Sequence, residues 1–356
     1  MPTSLDTILK EIKPLDSSAM TAAQRRQNSL TKPHGSLGRL EELSIQIAGI
    51  KGQATPKLEH KSIITMVADH GVVAETVSLY PQEVTRQMVL NFLKGNAAIN
   101  VLATQISARV VVIDMGVIGG FPPLPGLLCK MIDSGTKNMT QGPAMTRQQA
   151  IDSIEAGIQV VEAELGKRLD IIGTGDMGIG NTTASSAVFA AISGRPPKKI
   201  TGRGTGIGDR QLAHKIKVIE RALSINKPNP KDPIDVLSKV GGFEIGGLVG
   251  IILASAAYRI PVVIDGFVSG AAALIATGIS PQAKDYLIAA HLSAEAGHEL
   301  LLQFLGLKPL LNLNMRLGEG TGAALGIILA EAAVRTLSQM ATFAEAGVSE
   351  AKPLEP

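Results

Sequence analysis

Apolar residues fall into two alternating patterns along this chain. Short β-branched runs at 61–68 (KSIITMVA), 108–114 (ARVVVID), 169–173 (LDIIG) and 260–265 (IPVVID) are nearly continuous in apolar character, which predicts strands buried on both faces. Between them, Ala-rich stretches at 85–105, 145–166, 183–193, 210–225 and 282–306 predict helices. Residues 4–14 and 18–31 read as two short helices, and a longer one follows the breaks at Gly35 and Gly38. A last helix is expected over 321–345, followed by a loose polar tail. Strands separated by helices predict an α/β fold, with a mainly parallel sheet covered by helices on both faces.

The strand ends carry the chemistry. The first two runs reach Asp69 and Asp114, the third is followed by Asp176, and the fourth closes on Asp265. Ligands of open parallel sheets bind outside the carboxyl ends of the strands, so acidic residues collected there mark a crevice. His70, next to Asp69, belongs to the same end.

The segment Gly173-Thr174-Gly175-Asp176-Met177-Gly178-Ile179-Gly180-Asn181-Thr182-Thr183 follows a strand and opens a helix. Glycines allow backbone to approach an anion, and free N–H groups at a helix start favour negative charge. GTGDMG fits the dinucleotide pattern, but no acid stands about twenty residues on to hold a ribose; Arg195 and Pro196 are there instead. GDMGIGNT approaches the triphosphate loop, but Asn181 replaces its lysine. A single phosphate fits this turn better than a triphosphate; without a ligand it would be a tight strand-to-helix connection. A second glycine cluster, Gly202 to Gly208, includes Gly204 and precedes a helix with His214 and Lys215. Arg203 and Lys215 are candidates to neutralise phosphate.

Three other segments stand out. Tyr80 and Met88 can wall an apolar pocket with Gln87 as a polar contact, or simply pack a loop onto a helix. His291, Glu295 and His298 are spaced i, i+4, i+7 on the expected helix, a metal-binding face by residue type, though a hydrogen-bonded helix face is the plainer reading. The alternating stretch from Leu311 runs through Leu317 into Gly318-Glu319-Gly320. A carboxylate between two glycines stands unshielded, and beside an apolar pocket its pKa rises toward that of a general base. It also fits a helix N-terminus, which favours an acid electrostatically.

Composition narrows the class. The formal charge is +3 with scattered basic residues, and three Tyr, seven Phe and no Trp offer few platforms for bases, which argues against nucleic-acid binding. The longest uncharged stretch, 266–283, is 18 residues with internal Gly and Pro and reads as a buried strand-turn-helix, so no membrane span is expected. The charged start gives no signal-peptide pattern, and Cys129 as sole cysteine suits a reducing cytoplasm.

Eight blocks in order complete the reading: LTKPHGSLGRLE (30–41), MVADHGV (66–72), GDMGIGNTT (175–183), GRGTG (202–206), VGGFEIGGL (240–248), IDGFVSGAAALIA (264–276), HLSAEAGHE (291–299) and RLGEGTGAAL (316–325). Together they resemble the nicotinate-nucleotide–dimethylbenzimidazole phosphoribosyltransferases. The resemblance implies a Rossmann-like sheet domain (31–334), a small helical domain built from both chain ends (1–30 and 335–356), and a homodimer. It implies transfer of phosphoribose from nicotinate mononucleotide to 5,6-dimethylbenzimidazole for the lower ligand of cobalamin, with Glu319 as the base. The nucleotide would lie on Gly175, Asp176, Gly178, Gly180, Asn181, Thr182, Thr183, Gly202 and Gly204 with Lys215 nearby, and the benzimidazole near Tyr80, Gln87 and Leu317. The pyridinium is already an activated leaving group, so no metal or cofactor is implied. The family's turn often carries Glu where this chain has Asp176, whose oxygens stand one methylene further back. Two rival readings remain: a nucleotide-cofactor oxidoreductase, which lacks its ribose-binding acid, and a nucleotide-binding module, which would not require Glu319.

Overall fold

The computed structural model describes residues 3–350. Six strands, β1 (Lys61–Ala68), β2 (Ala108–Gly116), β3 (Leu127–Cys129), β4 (Ile171–Met177), β5 (Val262–Ile264) and β6 (Leu287–Ala289), form one sheet in the order β3-β2-β1-β4-β5-β6. Every neighbouring pair is parallel. β1 is buried along its whole length: Ile64, Met66 and Ala68 enter the core on one face, and Ile63 and Val67 the core on the other. Helices Arg147–Leu165, Phe243–Ala257 and Phe267–Ile279 cover the first face; Ala98–Gln105 and Thr321–Gln339 cover the second. This is the α/β architecture expected of continuous apolar strands.

The order in which strands are added to the sheet reverses between β1 and β4, so the loops that follow these parallel strands lead away to opposite sides and leave a crevice at their carboxyl ends. Segments from the early and late parts of the described chain meet. Leu30 bridges Thr342 antiparallel, and Arg26 donates to the carbonyls of Leu337 (2.7 Å), Ser338 (3.3 Å) and Met340 (3.2 Å). Helix Leu5–Glu11 instead packs on Phe243–Ala257. The last part of the tail, 351–356, lies outside the described residues.

Several expectations are corrected. β4 runs to Met177, so Gly173 and Gly175 are strand residues, and the turn proper is Gly178-Ile179-Gly180. These two glycines make room: a Cβ on Gly173 would stand 2.5 Å from Ile63 Cδ1, and one on Gly175 2.3 Å from the Glu319 carbonyl. The expected helix 85–105 is two, Glu83–Leu93 and Ala98–Gln105, interrupted at Gly95 with φ of 77°. The expected helix 282–306 is a 3₁₀ turn, β6, a loop and helix His298–Leu305. The alternating stretch from Leu311 makes only a single bridge, to His291. The last helix ends at Gln339, with a short turn of helix at Phe343–Ala346. Thr321–Gln339 has the length and apolar character of a membrane span, but it packs on the sheet.

Candidate active site

A cavity of about 630 Å³ opens outside β1 and β4. Its walls come from the turn after β4, the segment around Tyr80, and the loops after β5 and β6. One part is apolar, with Val77, Val84, Met88, Met177 and Leu317; the rest is polar, with Asn181, Thr182, Ser293 and Glu295.

Gly318, Glu319 and Gly320 take successive positive φ values of 85°, 63° and 99°. Glycine adopts this region freely, but glutamate does so at a cost and only where its surroundings hold it. Three bonds do so. Its N–H donates to the Asp176 carbonyl (3.1 Å), its carbonyl accepts from Thr65 Oγ1 (3.0 Å), and Oε2 accepts from the Ile99 N–H (3.2 Å). The elbow presents a carboxylate that lines the cavity while only 5% exposed. Burial raises its pKa above the ordinary glutamate value, against the Ile99 N–H.

The turn beside it is built for close approach. Gly180 has φ of 94° and caps helix Asn181–Ser193 without a side chain; the Asn181 and Thr183 N–H groups turn back to the carbonyls of Gly178 and Gly180, which leaves the Thr182 N–H as the first-turn donor beside the cavity. Gly178 is pressed onto Ala68, whose carbonyl would lie 2.3 Å from an added Cβ. Asn181 Nδ2 donates to Asp176 Oδ2 at 2.9 Å. Burial, reinforced by nearby Asp265, raises the Asp176 carboxyl well above its usual value.

Not every residue named from the sequence reaches the cavity. Asp176, Gly178, Gly180, Asn181, Thr182, Gly204, Tyr80, Leu317 and Glu319 line it. Thr183 is fully buried in its helix, Gly175 lies beneath Glu319, and Gly202 packs against the Glu295 carboxylate. Lys215 stands behind the wall, only 1% exposed, and donates to Thr182 Oγ1. Burial lowers its pKa to about 8. Gln87 is exposed on helix Glu83–Leu93 and outside the lining; Met88, one residue on, is the wall residue. Arg203 turns to Asp209 and the Ile207 carbonyl.

His70 is buried beneath the turn and paired with Glu244 at 2.7 Å. Burial opposes its protonation, but Glu244 outweighs this and its pKa is raised. His291, Glu295 and His298 do not share a helix: His291 bridges Leu311, and the helix starts at His298. His298 Nδ1 accepts from the Ser293 N–H, and burial holds the ring neutral with a pKa of about 3. Among the described residues, no three His, Cys, Asp or Glu side chains form a metal-binding group. Sequence reasoning missed Thr65 and the Ile99 N–H, whose partner Glu319 is distant along the chain, and Ser293, which lines the cavity with only local partners, His298 and Glu295.

The family described as "Phosphoribosyltransferase" (DBI_PRT) matches residues 12–348. The nicotinate-nucleotide–dimethylbenzimidazole phosphoribosyltransferase of Desulforudis audaxviator (strain MP104C) is 58% identical over 97% of this chain and 98% of its own length. This chain belongs to that phosphoribosyltransferase family. The phosphoribosyltransferase of Chloroflexus aggregans (strain MD-66 / DSM 9485), which carries the same name, is 58% identical over 98% of this chain and 99% of its own. The crystal structure of CobT from Thermus thermophilus superposes with a TM-score of 0.91 at 46% identity, covering 94% of this chain and 100% of that one. As a phosphoribosyltransferase of this family, the chain has the fold of a solved relative across nearly its whole length.

Proposed function

We propose that this enzyme transfers the phosphoribosyl group of nicotinate mononucleotide to 5,6-dimethylbenzimidazole, releasing nicotinate and forming α-ribazole 5′-phosphate for cobalamin synthesis. The observation that carries the reading is the Glu319 elbow, which puts a desolvated carboxylate in one cavity with apolar walls and the glycine turn that opens helix Asn181–Ser193. The names of the close relatives support the substrates.

In this reading the benzimidazole lies among Tyr80, Met88 and Leu317, and the phosphate on the turn from Gly178 to Thr182 with Lys215 behind it. Glu319 accepts the N–H proton of the azole. The other ring nitrogen attacks C1′, and the C1′–N bond to nicotinate breaks with its electron pair neutralising the pyridinium. Attack opposite the leaving group turns a β-linked nucleotide into an α-linked product. Pairing as a homodimer is supported by Leu90 and Val101, left exposed on successive helices, and a cytoplasmic setting by the sole, free cysteine, Cys129.

The test is nicotinate release from nicotinate mononucleotide, with and without benzimidazole base, followed by chromatography. Release that requires the base and yields an α-riboside supports the reading. Hydride transfer to a nicotinamide cofactor, or nucleotide binding without turnover, would replace it.

A further inference from the structure

The helix that follows Glu319 has no cap of its own. Thr321–Gln339 starts after Gly320, which has no side chain to meet the free N–H groups of the first turn. Their partner comes from another strand. Asp265, the residue after β5, accepts from the Gly320 N–H through Oδ2 (3.1 Å), and from the Gly322 and Ala323 N–H groups through Oδ1 (2.6 and 3.1 Å). Its carboxylate is wholly shielded from solvent. Its own N–H faces Thr174 Oγ1 at 3.2 Å, and that hydroxyl donates to Ser269 at 2.9 Å, so backbone and side chain are both fixed. Gly322 is shaped to this contact, since a Cβ there would lie 2.6 Å from Asp265 Oδ1 and 2.1 Å from the His291 ring.

Asp265 therefore grips the chain directly after Glu319, while Thr65 on β1 holds the Glu319 carbonyl. A non-glycine residue at φ of 63° relaxes unless its neighbours over-determine it. We infer that Asp265 is a positioning residue: by holding the N–H groups of Gly320, Gly322 and Ala323 it keeps the Glu319 carboxylate where it meets the azole proton, with Thr65 as the second clamp. The inference rests on Glu319 being the base. Asp265 neither touches substrate nor accepts the proton itself. Losing its grip lets the carboxylate drift by a fraction of its own size, and misplacement of about 1 Å costs up to about 10²-fold in rate.

Three variants of the full-length enzyme, Asp265→Asn, Glu319→Gln and the double, are compared by kcat, both KM values and melting temperature. Asn keeps the size of Asp but replaces one acceptor oxygen with a donor that opposes the N–H groups. Asp265→Asn should lower kcat about 10- to 100-fold with both KM values within about 3-fold, and the double variant should be no slower than Glu319→Gln alone, as expected of residues acting as one unit. Thr65→Val, nearly isosteric, should lower kcat in the same manner and decides the matter if Asp265→Asn does not fold. Folded Asp265→Asn or Thr65→Val enzyme with undiminished kcat, or losses that multiply in the double variant, would overturn the inference while leaving Glu319 as base. Undiminished kcat in Glu319→Gln would instead overturn the base assignment, and this inference with it.

Discussion

Lys215 donates a 2.8 Å hydrogen bond to Thr182 Oγ1, joining the middle of one helix to the first turn of the helix that borders the proposed phosphate site. The ammonium is desolvated and holds its proton only up to pH about 8. As pH rises through that value the free enzyme loses a positive charge beside the phosphate, so kcat/KM for the nucleotide should fall. Bound phosphate favours the charged form, and the corresponding limb in kcat should lie at higher pH. Lys215→Met should abolish the limb and raise nucleotide KM about 10- to 100-fold, the range for a lost charged hydrogen bond. The sign for stability is opposite. Between about pH 8 and the ordinary lysine value the unfolded chain binds more protons, so this group adds stability as pH rises there. A pH-independent nucleotide KM would remove Lys215 from phosphate binding.

In the proposed role of base Glu319 has to be ionised, and burial raises its pKa. Turnover should therefore decline on acidification at a higher pH than an exposed glutamate would give. Glu319→Gln should lower kcat by about 10²- to 10⁴-fold and leave the residual rate without this acid limb. Rates across pH for both forms, with melting temperatures on the same preparations, separate this from a helix-end role, which predicts about 0.3–1 kcal/mol of lost stability and normal turnover.

Gly180 tests the turn. At φ of 94°, with Val73 Cγ2 only 2.9 Å from an added Cβ, even Gly180→Ala carries strain. The left-handed penalty is about 1–2 kcal/mol, and melting should report it. Nucleotide KM should rise while KM for the base changes little. An unchanged nucleotide KM in folded enzyme would put the phosphate elsewhere.

Arg26 tests the junction of the chain ends. Its guanidinium serves the carbonyls of Leu337, Ser338 and Met340 from a partly buried position. Arg26→Ala should cost about 1–3 kcal/mol, read as a lowered melting temperature, and leave kcat of the folded enzyme unchanged. A matching fall in kcat would mean that this junction reaches the elbow through the helix Thr321–Gln339.

The sequence was most legible where local pattern and tertiary role agree. β1 matches its apolar run from Lys61 to Ala68 because both faces are buried. The three-residue strands β3 and β6 are too short to carry a pattern, and β6 falls within a stretch of helical composition. Gly173 and Gly175 read as a turn because glycine usually marks one; here it lets Ile63 and the Glu319 backbone press on a strand. Glu319 was legible from its flanking glycines. On the helix at 83–93, Met88 lines the cavity as its apolar character suggested, whereas Gln87 faces solvent, a distinction that only packing makes. Asp265 was visible as a strand-end acid, but its partners lie 55 to 58 residues further on, beyond any local pattern.

The strand order also governs when the site comes into being during synthesis. β1, β2 and β4 can pair once the ribosome has passed the middle of the chain, but the helix Thr321–Gln339 that covers Ile63 and Val263 is among the last segments to emerge. Until then one face of the finished sheet is only partly covered, and the Asp265 carboxylate lacks the N–H groups it holds in the completed protein. A chain released before residue 321 would leave the apolar surface around Ile63 and Val263 exposed, and such surface recruits chaperones and drives aggregation.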